Sequence, residues 1–139
     1  MKTELENITI ESFAPYGYVL EFTPEMTKDF HVIVREEKDP WRLAILRFDR
    51  HNVESLENHP GSMESFEPLE GSSVLFVAEH DHPDKIRAFF LDKPICLYKG
   101  IWHDVLALSA TAKVKITENL EVTSEKHTLA KPLGIFAAD

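Results

Sequence analysis

The apolar positions of this chain fall into short runs that turn-forming residues separate. Eight prolines and five glycines supply much of that punctuation. The runs between them are rich in β-branched and aromatic side chains, which is typical of strands. The pattern predicts strands over residues 16–22, 30–36, 42–49, 72–80, 86–92, 94–98 and 105–117. Short strands with closely spaced turn signals indicate an all-β sandwich or barrel.

Helix is predicted only as a minor part of the fold. The segment ITIESFAPY (8–16) has room for one turn with Thr9 or Ser12 as its cap, and NVESLENHP (52–60) has room for another that Pro60 ends. Neither segment is long enough to organise a fold. The length of 139 residues fits one core, so we expect a single domain over residues 1–139.

Composition narrows the class of function. The hydrophobic fraction of 43% is ordinary for a soluble globular protein, and the net charge of −9 disfavours binding to a phosphate backbone. No apolar run approaches the ~18–20 residues of a membrane-spanning helix. The start, MKTELENITIESF, lacks the apolar stretch of a secretory signal. Cys96 is the only cysteine and lies in an apolar run, which predicts a buried thiol and no disulfide within the chain. We therefore expect a cytoplasmic protein.

The candidate chemistry lies in two turn-rich segments, ENHPGSMESFEPLEG (57–71) and YKGIWHD (98–104). Glu57 and His59 are two positions apart, so in an extended chain both point to the same side. After the Pro-Gly-Ser turn we expect a strand to begin at Glu64, and His103 begins another strand-like run. Two imidazoles and two carboxylates that converge at one mouth of a barrel suit a divalent first-row metal such as Zn, Ni, Mn or Fe.

These segments resemble the two sequence motifs of the cupin family. The first motif is usually written G-x5-H-x-H-x3–4-E-x6-G, and this chain has Glu57-x-His59-x4-Glu64-x6-Gly71. The second is written G-x5-P-x-G-x2-H-x3-N, and this chain has Tyr98-x-Gly100-x2-His103. Three positions differ, because Glu57 replaces the first histidine, Tyr98 the proline and Ala107 the final asparagine. The resemblance implies a double-stranded β-helix, or jelly-roll barrel, with His59, Glu64 and His103 as metal ligands.

Within the cupins, the chain resembles the ureidoglycolate lyase family over roughly residues 8–110. FAPYG (13–17) is similar to the family's opening, and the segment 57–71 is similar to its E-x-H-P-x3-Q-x-F-x-P-x-x-G stretch. RAFFLD followed by YKGIWHDVLAL is similar to its R-A-F and H-R-G-V-W-H-x-P-L stretches. Glu64 stands where the family has glutamine, and the family's closing I-D-R-G-x-G is not recognisable in ITENLEVTSEK (116–126).

The resemblance implies a homodimer that cleaves ureidoglycolate, a small carboxylate, to glyoxylate and urea in allantoin and purine nitrogen catabolism. It suggests Glu57, Glu64 and Asp104 as catalytic carboxylates, and it suggests as substrate-binding residues Arg47, Tyr98, Lys99 and Trp102. Arg47 also lies close to Arg42 and Arg50, and these three arginines either form a local cationic pocket or point outward into solvent.

Two other classes of function stay open. A different cupin enzyme would act on another small hydroxy or keto acid through the same metal, whereas a non-catalytic binding module would have no metal. His80 and His82, in AEHDHPD (78–84), are interpreted as part of a hairpin loop rather than a metal cluster. The aromatic residues expected in the core are Phe66, Phe76, Phe89 and Phe90.

Overall fold

The computed structural model describes residues 3–134, and β-strands dominate it. The strands are β1 Leu5–Asn7, β2 Gly17–Val19, β3 Trp41–Phe48, β4 Val53–Asn58, β5 Glu64–Glu70, β6 Ser73–Ala78, β7 Arg87–Phe90, β8 Ile95–Leu97, β9 Trp102–Ala107, β10 Ala112–Asn119 and β11 Glu125–Leu133. The single helix of the described residues is α1, Ile10–Phe13.

The strands form two sheets, one with the order β1-β7-β6-β9-β4-β11 and the other with the order β2-β8-β5-β10-β3. Strand pairs are antiparallel except β1 with β7. The two sheets close around a shared apolar core as a jelly-roll barrel. This confirms the all-β cupin fold with a minor helix.

Side chains alternate along the strands and place one set inside the barrel. On β6, Leu75 and Val77 join the central core, whereas Val74 and Phe76 pack into a second apolar cluster on the other face of the same sheet. The six-stranded sheet is therefore buried on both faces at β6, which explains why β6 reads as a continuous apolar run. Other members of the central core are Phe13, Phe48, Phe66, Phe89, Ile95, Leu97 and Val105.

Several predicted elements are confirmed. Strands occur within the segments 42–49, 72–80, 86–92 and 94–98, a strand begins at Glu64, and α1 has a capping box in which Thr9 and Ser12 bond each other's backbone. Cys96 is a buried free thiol. Gly71 has a φ of 73° in the turn between β5 and β6, a conformation that favours glycine.

Other predicted elements are wrong or need adjusting. The segment 52–60 is the strand β4 rather than a helical turn, because Val53 and Leu56 pack into the second cluster and the strand pairs with β9 and β11. The segment 30–36 is not hydrogen-bonded into either sheet, and only residues 17–19 of the segment 16–22 form a strand. The segment 105–117 is divided into β9 and β10 by a turn in which Ser109 bonds Thr111 and Ser72.

The described residues include no helix that is long and apolar enough to cross a membrane.

Candidate active site

The site is built from two rows of facing residues, one in each sheet. In the five-stranded sheet, Glu118 on β10 lies directly opposite Arg42 on β3 and Glu64 on β5. In the six-stranded sheet, His103 on β9 lies directly opposite Glu57 on β4. Residues directly opposite each other across an antiparallel pair point to the same face, so each row presents its side chains together.

The connection between β4 and β5 supplies His59 and crosses from one sheet to the other. Asn119 fixes this turn, because its backbone N–H donates to Ser62 Oγ at 2.9 Å and its Nδ2 donates to the Gly61 carbonyl at 3.0 Å. His59 is 6% exposed. The turn therefore places the buried imidazole of His59 between the two rows of residues.

The imidazoles converge on one carboxylate oxygen. Glu64 Oε1 lies 3.1 Å from His59 Nε2 and 2.9 Å from His103 Nε2. Glu57 Oε1 lies 3.8 Å from the first nitrogen and 3.9 Å from the second. The structure thus brings together the four side chains that the two sequence motifs proposed.

The outer nitrogens of both imidazoles fix the ring tautomers. His103 Nδ1 lies 2.9 Å from the Ile101 carbonyl, and His59 Nδ1 lies 3.3 Å from the Thr123 carbonyl and 3.0 Å from Ser124 Oγ. A carbonyl only accepts hydrogen bonds, so each Nδ1 carries the proton. In the neutral rings, each Nε2 then directs a lone pair towards Glu64.

The lone pairs on the two Nε2 atoms face the negatively charged Glu64 carboxylate, so a positive charge is needed between them. His103 Nε2 and Glu64 Oε1 are buried and have no hydrogen-bond partner. When His59 Nε2 carries a proton instead, its hydrogen bond to Glu64 raises the pKa of His59 to about 9, although burial opposes the shift. Burial alone would raise the pKa of Glu64, but the two imidazoles outweigh it and hold that pKa at about 2. Protons or a metal cation satisfy this cluster.

The cluster lies in a cavity of about 420 Å³. Its charged lining comprises the guanidinium groups of Arg42 and Arg50 and the carboxylates of Glu57, Glu64, Asp104 and Glu118. With neutral histidines the carboxylates outnumber the guanidinium groups by two, which matches the charge of a divalent cation.

Asp104 lines the cavity and forms an ion pair with Arg50. Arg50 Nη2 donates to Asp104 Oδ1 at 2.5 Å, and Arg50 Nε donates to the Val105 carbonyl at 2.8 Å. Burial nevertheless raises the pKa of Asp104 above its usual value. The pair places one cation and one carboxylate on the wall of the cavity.

The structure does not bring the four predicted substrate-binding residues to this cavity. Arg47 is exposed on β3 and points to the same side as Leu43 and Ile45, away from the core. The cation from β3 that lines the cavity is Arg42 instead. Lys99 is exposed, with Nζ 3.9 Å from Glu36 Oε1.

The two aromatic candidates pack elsewhere. Tyr98 lies against the central core and contacts Tyr18 edge to face. Trp102 is buried in the second cluster, where its indole donates to the His80 carbonyl at 2.9 Å. His80 and His82 lie in the loop between β6 and β7, as expected.

The family model for ureidoglycolate lyase matches residues 32–133. This chain belongs to the ureidoglycolate lyase family. Three curated ureidoglycolate lyases show the extent of the similarity. The one from Rhizobium etli is 26% identical over 137 residues, covering 83% of this chain and 82% of the relative. Those from Agrobacterium fabrum and Rhizobium meliloti are 26% and 27% identical, and each alignment covers 72% or 73% of both chains.

Solved structures similar to this ureidoglycolate lyase family member are more distant. Vicilin from tomato (Solanum lycopersicum) is 18% identical with a TM-score of 0.49, and the match covers 65% of this chain. Oxalate decarboxylase from Bacillus subtilis, as its S161A mutant, is 13% identical with a TM-score of 0.48, and the match covers 66% of this chain. The chain spans 26% and 24% of these two longer proteins, respectively.

Sequence reasoning missed Glu118 as part of the site. The residue lies outside both motifs, but it continues the buried alternation of Val114 and Ile116 along β10. A charged side chain in phase with buried apolar ones was the signal that could have found it.

Proposed function

We propose that this protein cleaves ureidoglycolate to glyoxylate and urea, a step in the breakdown of allantoin and purine nitrogen. Membership of the ureidoglycolate lyase family and the names of its relatives support this reaction. The observation that carries the proposal is the convergence of His59, Glu64 and His103 in one cavity beside two arginines.

The four converging side chains fit a divalent first-row cation. Ligands about 2.1 Å from such an ion lie about 3.0–3.4 Å apart for neighbouring octahedral or tetrahedral positions. The separations of Glu64 Oε1 from the two imidazoles, 3.1 and 2.9 Å, are close to this range, and those of Glu57 are 3.8 and 3.9 Å. His59, Glu64 and His103 would hold the ion, with Glu57 beside them. A bound cation would lower the pKa of the substrate hydroxyl.

Two arginines are placed to bind the substrate carboxylate. Arg42 and Arg50 line the cavity, and each uses only two of its five N–H groups in a described contact with a neighbouring strand. The free donors of a guanidinium group match a carboxylate geometrically. We assign the carboxylate of ureidoglycolate to this side of the cavity, in place of the expected contacts with Arg47 or Lys99.

The reaction moves one proton from oxygen to nitrogen. The hydroxyl O–H bond breaks and its electron pair forms the aldehyde C=O of glyoxylate. The C–N bond breaks, and the released urea nitrogen takes up a proton. Glu57 is the proposed base because its carboxylate is half exposed and lies next to both imidazoles. Asp104 is the second candidate, since burial raises its pKa and favours a carboxyl group that exchanges protons.

Replacing the central residues tests the proposal. We expect His103→Ala and Glu64→Ala to lower the rate of urea release from ureidoglycolate by about 100-fold or more, because each removes a group at the reacting centre. His82→Ala and Glu54→Ala are matched controls, since both side chains are exposed and lie outside the cavity.

Full activity in both central variants would contradict the proposed site, and no urea release by the wild-type protein would contradict the proposed substrate.

Removal of metal with a chelator is expected to abolish urea release. Addition of Mn²⁺, Fe²⁺, Ni²⁺ or Zn²⁺ to the stripped protein then identifies the ion that restores activity.

We further propose that the enzyme is a homodimer and acts in the cytoplasm. The edge strand β3 exposes Trp41, Leu43 and Ile45, and an apolar edge is a surface that a second copy can cover by pairing strand to strand. The single cysteine is a free buried thiol, which is compatible with a reducing compartment.

A further inference from the structure

Glu118 is a buried carboxylate whose two oxygens have different surroundings. Its side chain is 8% exposed. Oε2 accepts two hydrogen bonds from Arg42, at 3.0 Å from Nε and 2.6 Å from Nη2. Oε1 instead faces His59 and lies 3.9 Å from its Nε2. One oxygen is therefore held in place while the other is directed at the centre of the site.

Glu118 also lies directly opposite another buried carboxylate. Glu64 is its partner on β5, and the side chains of the two are 7% and 8% exposed. Like charges directly opposite each other destabilise a sheet, and burial increases the cost. Arg42 offsets the charge of only one of them. Two such carboxylates side by side favour additional positive charge at this point, supplied either by protons on the imidazoles or by a bound cation.

We propose that Glu118 is a further carboxylate ligand of the divalent cation, supplied from outside the two sequence motifs, and that Arg42 is its positioning residue. The inference rests on the metal centre of the proposed function. One ligand atom from each of His59, Glu64 and Glu118 lies within 4.8 Å of the other two, and Glu57, His59 and His103 form an overlapping set with the same spacing.

The hydrogen bonding of Glu118 fits a ligand rather than a purely structural ion pair. Ligating carboxylates are commonly oriented by an outer hydrogen-bond partner, and Arg42 occupies that place on Oε2. A structural pair would be complete with Arg42 alone, and Oε1 would need no place beside His59 and Glu64. Glu64 Oε1 and His103 Nε2 are buried without hydrogen-bond partners, so the proposed cation would lie next to these two atoms.

Glu118 changes which ion the site prefers. With it, the proposed ligands comprise two carboxylates, Glu64 and Glu118, and two imidazoles, His59 and His103. Carboxylate oxygen favours Mn²⁺, whereas four-coordinate sites of nitrogen and sulfur favour Zn²⁺. We therefore assign Mn²⁺ as the ion whose affinity depends most on Glu118.

Titration of Mn²⁺ into the metal-stripped full chain tests the assignment without measuring activity. We expect Glu118→Gln to weaken Mn²⁺ binding, measured by calorimetry, by about 10- to 100-fold. Glu121→Gln is the matched control, because it makes the same change at an exposed position in the following turn and should leave the affinity within about twofold of the wild-type value. The Mn²⁺ electron paramagnetic resonance spectrum should change in the first variant only.

Arg42 variants separate positioning from folding. Arg42→Lys keeps the charge but loses the paired N–H donors, so we expect a smaller loss of Mn²⁺ affinity than in Glu118→Gln and an altered resonance spectrum. A role in folding alone would lower the melting temperature of the stripped protein and leave both metal readouts unchanged.

A folded Glu118→Gln variant that binds Mn²⁺ as tightly as the wild type would overturn the inference. If that variant does not fold, Glu118→Asp keeps the charge and shortens the side chain by one methylene, and wild-type affinity in it has the same meaning. Wild-type protein that binds no Mn²⁺ also overturns it, whether or not urea is released. Mn²⁺ binding that depends on Glu118 supports it even if ureidoglycolate is not the substrate.

Discussion

A single glycine explains how closely two strands approach beside the core. Gly17 ends the FAPYG segment and begins β2, opposite Leu97 on β8. A Cβ built at Gly17 would lie 2.1 Å from the Cys96 carbonyl oxygen. That separation is far below van der Waals contact, and the atom it meets is backbone that cannot rotate away.

Gly17→Ala is therefore expected to destabilise the protein by about 1–3 kcal/mol, the usual cost of overpacking. Gly61→Ala is the control, because a Cβ there meets nothing within 4 Å. It should change the free energy of unfolding by less than about 1 kcal/mol, with a slight gain from the stiffer unfolded chain. Urea denaturation measures both. Equal stability of the two variants would show that the β2–β8 contact is looser than described.

At the same scale, motif spacing predicted which imidazoles and carboxylates converge, but it did not predict which arginines line the cavity. His59, Glu64 and His103 could be placed because each lies at or next to the end of a strand, beside a recognisable turn. Arg42 and Arg47 both lie on β3, where apolar residues occupy both phases of the alternation. The sequence of an edge strand with two apolar faces does not indicate which face is inside, so the phase of each arginine became clear only from the pairing with β10.

Among the elements, the short strand β1 pairs with β7 and is also attached to it by one ion pair. Arg87 on β7 donates to both carboxylate oxygens of Glu6, at 2.9 and 2.6 Å, and its guanidinium lies 5.5 and 5.1 Å from the ring centroids of Tyr16 and Phe89. The hydrogen bonds from Arg87 lower the pKa of Glu6 below 4.5. Because the pKa of Glu6 is lower in the folded than in the unfolded protein, ionisation of this carboxylate stabilises the folded state.

The pair should therefore stabilise the protein above pH 4.5, and its contribution should fade as the pH falls further. We expect Glu6→Gln to cost about 0.5–1 kcal/mol at pH 7, a small value because about a third of each side chain is exposed to solvent. The difference from wild type should persist at pH 5 and shrink below pH 4.5. A difference that stays constant down to pH 3 would mean that packing, rather than charge, holds β1.

The elements predicted wrongly share a physical cause. Residues 52–60 have the spacing of a short helix, but β4 gains hydrogen bonds to two neighbouring strands and buries Val53 and Leu56. The segment 30–36 has strong strand propensity and yet joins no sheet. Strand formation requires a partner, and neither propensity nor periodicity shows whether a partner is available.

For the whole molecule, the exposed edge strand β3 of the five-stranded sheet is the surface on which we expect a second copy of the chain to bind. Trp41, Leu43 and Ile45 are 60%, 59% and 75% exposed, and β3 is the last strand of its sheet. Pairing of this strand with the same strand of a second copy, antiparallel about a two-fold axis, would satisfy the free backbone groups and cover the three side chains together.

Placing a charge on this edge tests the homodimer. Light scattering should give wild-type protein twice the 15.9 kDa mass of the chain. Ile45→Lys should shift the equilibrium to the monomer at micromolar concentration, because a buried interface would have to desolvate the new ammonium group. Ile10→Lys is the control, since Ile10 is also exposed but lies on α1, away from β3. A wild-type monomer, or a dimer that Ile45→Lys leaves intact, would exclude β3 as the interface. If the Ile45→Lys monomer still releases urea at the wild-type rate, each barrel holds a complete active site.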